Sequence, residues 1–277
     1  MYGQKSYGYL SGIISEYDYF YLIFMFKTAI VRKPAKNFQF GLTTSNLGKP
    51  EYHKALFQHS AYIKALKTCG LEIKELEPNE QFPDSTFVED TAVVNEDIAI
   101  ITNLGAPCRR GEEIEIMRVL EEYFDIIELI KSPGTLDGGD VLRIENQYYI
   151  GLSGRTNQEG ANQVIRILEK YGYSCSTVLL SKFLHLKSGV SYIGDDNLIT
   201  AGEFIDKPIF REYNIIKVEE DESYAANCVK INDYILFPKG FKNLRKKVEE
   251  LNYKIIEVDM SEFRKMDGGL SCLSIRF

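Results

Sequence analysis

Four segments of this chain read as pairs of short strands joined by a tight turn, and they recur at a nearly constant interval. They span residues 87–102 (turn at Asn95-Glu96-Asp97), 140–152 (Glu145-Asn146), 190–200 (Gly194-Asp195-Asp196-Asn197) and 228–238 (Asn232-Asp233). The flanks are Val, Ile, Leu, Phe and Tyr, and the turns are Asn, Asp, Glu and Gly, the chemistry a hairpin needs. After most hairpins comes a helical stretch and one more strand. In residues 112–123 the apolar Ile114, Met117, Leu120 and Tyr123 suggest one helix face, and 125–130 then reads as a strand. The same order recurs in 161–171 then 174–180, in 241–251 then 254–258, and at the start in 51–68 then 71–76. The third unit, 203–218, is the least clear.

The polar residues at the head of each hairpin are Asp90, Asp137, His185, Asn227 and Cys272, with successive spacings of 47, 48, 42 and 45 residues. A period near 45, repeated about five times, predicts a ring of ββαβ units with five-fold pseudo-symmetry. Equivalent positions in a ring converge on its axis, so side chains far apart in sequence meet there. The last half-hairpin, 268–277, is expected to close the ring against a first strand at 28–32. A single domain over 25–277 follows.

Composition excludes several classes. A net charge of −7 argues against a nucleic-acid surface, which needs a concentrated positive field. The cysteines Cys69, Cys108, Cys175, Cys228 and Cys272 are odd in number and lack a CxxC pair, so neither a disulfide framework nor a zinc site is expected. Most read as buried, reduced thiols of a cytoplasmic protein. The apolar run 19–26 is too short to cross a bilayer, which takes about 20 residues. With Glu16 and Asp18 before it, it is a poor signal peptide. Residues 1–24 are therefore expected to be an extension without function, and no membrane partner is foreseen.

Five places carry possible chemistry. Cys272 follows two glycines in Asp267-Gly268-Gly269-Leu270-Ser271-Cys272, where the thiol would emerge at a strand start. A lone cysteine of this kind is more often packing than catalysis. Of the three histidines, His53 and His59 lie on the predicted first helix as surface or edge residues. His185 sits in an apolar run, where a lone histidine is more often a satisfied core residue than a catalyst, yet a thiol enzyme needs a positioned base and this chain offers few candidates. Asp84, Glu89 and Asp90 gather at a predicted strand entry, and Asp137 heads the next hairpin. Carboxylates crowded into one pocket repel unless a cation neutralises them. A planar guanidinium, with donors in a fixed fork, is their natural complement. A divalent metal is the rival, weakened by the absence of a histidine pair or a calcium-loop pattern. Arg109 and Arg155 fall on loops after hairpins, placed either as solvated charge or as clamps for a substrate carboxylate.

Phe87-Val88-Glu89-Asp90-Thr91-Ala92-Val93-Val94, Leu136-Asp137-Gly138-Gly139-Asp140-Val141-Leu142, Gly151-Leu152-Ser153-Gly154-Arg155-Thr156-Asn157, His185-Leu186-Lys187-Ser188 and Ala225-Ala226-Asn227-Cys228 together resemble the dimethylarginine dimethylaminohydrolase family. That family lies within the guanidino-group-modifying, or pentein, superfamily. The resemblance spans roughly residues 27–277 with the motifs in order, and implies a five-fold α/β-propeller. It implies Cys272 as nucleophile, His185 as general acid/base and Asp137 as the carboxylate orienting it. Asp90 and Glu89 would hold the guanidinium, with Asp84 nearby, and Arg109 and Arg155 would hold the substrate carboxylate. Leu42 and the backbone of Met266 would line the mouth, with the loop around Gly41-Leu42 as a lid. One departure is Leu273, where some relatives carry a second cysteine.

The implied reaction is cofactor-free hydrolysis of methylated arginine to citrulline through an S-alkylthiouronium on Cys272, with no metal and a small guanidino compound as partner. The alternatives are arginine deimination, amidino transfer to an acceptor amine, and binding without turnover. A homodimer is left open.

Overall fold

The computed structural model describes residues 25–277, so the expectation for 1–24 lies outside the described residues. These residues form five three-stranded sheets, and each sheet is one blade. In four of them a hairpin comes first and a parallel strand is added at its outer edge. The second blade is β3 (Ala92–Val94), β4 (Ala99–Ile101) and β5 (Ile127–Leu129). The third is β6 (Val141–Ile144), β7 (Gln147–Leu152) and β8 (Ser174–Leu179). The fourth is β9 (Val190–Gly194), β10 (Asn197–Ala201) and β11 (Asn214–Val218). The fifth is β12 (Val229–Ile231), β13 (Tyr234–Pro238) and β14 (Lys254–Val258).

The first blade shows how the ring closes. Its central strand β1 (Thr28–Arg32) pairs in parallel with β2 (Glu72–Leu76) and antiparallel with the C-terminal β15 (Ile275–Arg276). Ala29 stands opposite Arg276 and Ile30 opposite Ile275, the closure expected from the sequence. The tight turns are also where the residue types placed them. Glu145, Asp195, Asp196 and Asn232 adopt positive φ, and the Asn95 side chain accepts from the backbone N–H groups of Asp97 and Ile98.

Helices α1 (Tyr52–Thr68), α2 (Glu112–Leu120), α3 (Gln158–Lys170) and α4 (Lys242–Glu249) make the crossover from the middle to the outer strand in four blades. In the fourth blade two 3₁₀ turns, Gly202–Phe204 and Pro208–Phe210, replace the helix. Buried Phe204 and Phe210 fill the space instead. That substitution explains why 203–218 showed no helical period.

The apolar core is distributed rather than central. Each of five clusters joins neighbouring blades, as when Ile98 and Ile100 of the second meet Tyr148 and Ile150 of the third. Fully burying such a side chain contributes about 1.5–3 kcal/mol. Because the wedges between blades carry this stabilisation, the axis is left for polar groups. Helix α2 faces its wedge differently from the expected face. Ile114 and Tyr123 are exposed, while Glu112, Ile116, Val119 and Leu120 are buried. A strict three-residue spacing drifts around a helix of 3.6 residues per turn, whereas steps of four, three and one stay on one stripe.

Candidate active site

Every blade begins with a short 3₁₀ turn ahead of its inner strand: Val88–Thr91, Gly138–Asp140, Leu186–Ser188, Glu220–Ala226 and Ser271–Leu273. The site residues sit in or beside these turns and not at strand starts, which corrects the expectation for Asp90 and Cys272. Neighbours along a strand point to opposite faces, so Glu89 and Asp90 could not both face the axis from a strand. The ring of turns is tied shut by Asn227. Its amide donates to the Lys187 carbonyl (2.7 Å) and Ser271 Oγ (3.0 Å), and its carbonyl oxygen accepts from the Ser271 N–H (3.0 Å).

His185 lies at the heart of a buried carboxylate cluster. Its Nε2 is 3.1 Å from Asp137 Oδ2, and its Nδ1 is 3.9 Å from Asp90 Oδ1. Asp137 is fully buried, and its other oxygen accepts the Gly105 N–H at 2.8 Å. Burial alone would depress the imidazolium, but Asp90, the bond to Asp137 and the nearby Asp140 outweigh it and hold His185 at about 9. The glycine pair explains the close approach: a Cβ on Gly139 would sit 2.8 Å from both His185 Nδ1 and Asp90 Oδ1. Ligand atoms of Asp90, Asp137 and His185 lie within 4.8 Å of one another, near enough to hold a metal. Their donors are already engaged, however. Asp137 faces His185, and Asp90 Oδ2 accepts from Arg109 Nη1 at 2.7 Å.

Cys272 is half-buried, with its Sγ accepting the Gly269 N–H at 3.4 Å. Burial and the negative charges of Glu89 and Asp90 push the thiol up to about 12, against the opposing pull of Gly269 and Lys187. Glu89, which the resemblance placed on the guanidinium, is held here by donors of the chain itself. Lys187 Nζ (2.7 Å) and Arg276 Nη2 (3.3 Å) donate to its Oε1, and Ser271 Oγ (2.7 Å) donates to Oε2. A buried carboxylate needs such partners, and here they come from three different turns and strands. An axial cavity of about 590 Å³, bounded by the inner strands of all five blades, reaches Glu89, Lys187, Ser271 and Arg276 but not His185 or Cys272.

At the mouth, Asp84 serves the loop. Both of its oxygens accept the Leu42 N–H, at 3.2 and 3.0 Å. Burial raises its carboxyl above the usual range. Asp267 holds the next two residues, accepting from the Thr44 N–H at 2.6 Å and from the Thr43 and Thr44 hydroxyls. Leu42 itself is half-exposed, while the Met266 side chain is buried among Phe263 and Leu270. Arg155 approaches Asp137 Oδ2 at 4.0 Å with its Nη1, a buried atom that has no hydrogen-bond partner. Arg109, expected beside it as a second clamp, is instead buried and ion-paired to Asp90 and Glu112.

Several residues of the cluster had no role assigned from sequence. Asp140 accepts from Ser153, Thr156 and the Leu186 N–H, joining the loop of Arg155 to the turn after His185. Burial keeps Glu112 up at about 7 despite Arg109. Lys187, two residues past His185, was legible as a motif member only. His59 was misplaced: it is buried, and burial with Lys33 lowers it to about 4. Cys108 also departs from expectation in being exposed.

A family model described as eukaryotic N,N-dimethylarginine dimethylhydrolase matches residues 33–275. The N(G),N(G)-dimethylarginine dimethylaminohydrolase of Pseudomonas aeruginosa is 51% identical over 254 residues, covering 91% of this chain and all of the relative. A solved structure of the Pseudomonas aeruginosa enzyme, a cysteine-to-serine mutant complexed with citrulline, superposes with a TM-score of 0.91 at 50% identity, covering 92% of this chain and all of that one. A dimethylarginine dimethylaminohydrolase with a histidine-to-glycine change, solved as an adduct with S-methyl-L-thiocitrulline, matches with a TM-score of 0.90 at 50% identity, covering 91% of this chain and all of that one. The five-bladed pentein ring, the shared sequence and the matched model agree: the chain belongs to the N,N-dimethylarginine dimethylhydrolase family.

Proposed function

We propose that this chain is a hydrolase of methylated arginine, releasing citrulline and methylamine or dimethylamine, with residues 25–277 acting as one catalytic unit. The observation that carries the reading is the placement of His185 between Asp137 and Asp90, with the Asp90 charge acting on the half-buried Cys272 thiol as well. The cysteine and histidine altered in the two solved relatives stand the same number of residues apart as Cys272 and His185 here.

A guanidinium is a poor electrophile because its charge is delocalised. Asp90 gives it a carboxylate to orient against, so that the sulfur can approach one face of the planar group. The same cation offsets the negative field that keeps Cys272 a thiol, so the thiol gives up its proton to water, and the thiolate is the form that attacks. Sulfur forms a bond to the guanidinium carbon. His185, protonated well above neutrality, gives its proton to the departing amine as the carbon–nitrogen bond breaks. The S-alkylthiouronium left on Cys272 is then attacked by water. The neutral imidazole takes the water proton, the carbon–sulfur bond breaks, and citrulline leaves. Every step uses side chains of this chain and water. Arg155 would meet the substrate carboxylate, with Leu42 and the Met266 backbone at the mouth. A thiol nucleophile among unpaired cysteines fits a reducing, cytoplasmic setting, and no described helix is long and apolar enough to cross a membrane.

Incubation with asymmetric dimethylarginine and separately with arginine, assaying citrulline and the released amine, tests the reading. Citrulline with dimethylamine, abolished in Cys272→Ser, is expected. Ammonia from arginine would move the chain to deimination, and a new guanidino compound in the presence of an acceptor amine would move it to amidino transfer. A Cys272→Ser protein with full turnover would sink the covalent route.

A further inference from the structure

The Glu112 side chain occupies a place where the fold does not need an acid. It is the first residue of α2 and lies on the helix stripe shared with Ile116, Val119 and Leu120, buried to the same degree as they are. Glu113 and Glu115 already stand in the first turn, where acids complement the helix dipole. Glu112 turns inward instead and takes the back edge of the Arg109 guanidinium. Arg109 Nε donates to both of its oxygens (3.1 and 3.2 Å), and Nη2 donates to Oε2 (2.8 Å). Nη2 also donates to the Phe87 carbonyl at 3.2 Å. The opposite edge meets Asp90: Nη1 donates to Oδ2 at 2.7 Å. Asp90 Oδ1 is left for the site, accepting the Gly139 N–H at 3.1 Å and standing 3.9 Å from His185 Nδ1.

Above about pH 7, where the buried Glu112 carboxyl is ionised, one cation between two carboxylates leaves one net negative charge. If Glu112 were absent, Arg109 would be balanced by Asp90 alone, and the pair would present no net charge to an incoming cation. With Glu112 behind it, Arg109 fixes Asp90 in place without cancelling its field. Charge in a buried, low-dielectric site is felt strongly over such distances. We propose that Glu112 is a positioning residue that acts through Arg109, anchoring the arginine from behind so that Asp90 keeps its charge for the cationic guanidinium and for His185. This rests on the hydrolase reading above.

Measured above the Glu112 titration at about 7, the test compares Glu112→Gln, which keeps the shape and removes the charge, with Glu112→Asp, which keeps the charge. Two probes of similar size label Cys272: a cationic haloacetamidine and its neutral haloacetamide counterpart. Glu112→Gln is expected to slow the cationic probe by about tenfold while the neutral one stays within about twofold, because only the cation reads the lost charge. The KM for asymmetric dimethylarginine should rise by about tenfold with kcat changed by less than about threefold, the mark of lost binding rather than lost chemistry. Glu112→Asp should recover most of both. Equal slowing of the two probes, no slowing of either, or identical behaviour of the two variants would overturn the proposal. A wild-type protein that is labelled selectively by the cation but does not turn over methylated arginine would refute the substrate assignment instead, and the probe contrast would still judge Glu112.

Discussion

His185 Nε2 and Asp137 Oδ2 lie 3.1 Å apart, both side chains buried, and this contact engages one imidazole nitrogen and leaves the other without a hydrogen bond among the described residues. With Nε2 turned to Asp137, Nδ1 faces Asp90 Oδ1 at 3.9 Å. Asp137→Asn keeps the shape but replaces an accepting oxygen with an amide that can turn its donors towards the ring. The tautomer and the protonation of His185 should both change. General acid–base catalysis is worth about 10²–10⁴ in rate, so kcat should fall by at least about a hundredfold. Cys272 should still be alkylated by a neutral reagent, since the thiol itself does not touch Asp137. Steady-state rates beside an alkylation time course check this, and an unchanged kcat would remove Asp137 from the mechanism.

The same pairing makes stability depend on pH in a definite direction. His185 is held at about 9 in the fold against an ordinary 6.5. Below 6.5 the histidine is charged in both the folded and unfolded chains, and its stabilising contribution is complete. As pH climbs from 6.5 the unfolded chain gives up its proton first, and the contribution shrinks until it is gone above about 9. The gap in thermal midpoint between wild type and His185→Gln should therefore narrow steadily across that window. A gap that widened or stayed constant would mean that the carboxylates do not hold the proton.

Gly139→Ala tests how tightly the site is built. The added methyl would lie 2.8 Å from His185 Nδ1 and from Asp90 Oδ1, closer than real Cβ contacts come. Overpacking of this kind costs about 1–3 kcal/mol, which a chain with five interlocked wedges should survive. The imidazole should shift away from its working position, lowering kcat by about tenfold or more while the protein stays folded, since small misplacements of a catalytic group are costly. Circular dichroism with kinetics separates this from unfolding.

Much of this architecture was legible because it repeats. The heads Asp90, Asp137, His185, Asn227 and Cys272 are evenly spaced since each opens a blade, and turn residues such as Glu145 and Asn232 mark hairpins through their own backbone preference. What the sequence hid was the pairing among charges once they converge. Glu89 and Asp90 are adjacent, yet one is taken up by Lys187, Ser271 and Arg276 and the other by Arg109. Partners separated by up to 187 residues leave no local pattern. The Arg109–Glu112 pair did leave one, an i,i+3 spacing, but the misread face of α2 pointed Glu112 outward. His59 was likewise discoverable, because Ala55, Tyr62 and Leu66 share its buried stripe on α1.

Arg155 provides the sharpest test of how the amino-acid end of a substrate is held. Its Nη1 is buried without a hydrogen-bond partner, 4.0 Å from Asp137 Oδ2. An arginine donor left unsatisfied inside a protein costs free energy, and a substrate carboxylate would repay it with a charge-assisted bond. Such bonds are worth about 1.5–3 kcal/mol, which corresponds to roughly ten- to a hundredfold in affinity. Arg155→Met should therefore raise KM for dimethylarginine by about that factor. Its effect on N,N-dimethylguanidine, which has the reacting group but no carboxylate, should be much smaller. The nearby Asp137 sets a second condition. If Arg155 instead acted on His185 through Asp137, the variant would lower kcat for both compounds equally and shift the pH profile. Measuring both substrates against pH separates a clamp for the carboxylate from a brace for the acid–base pair.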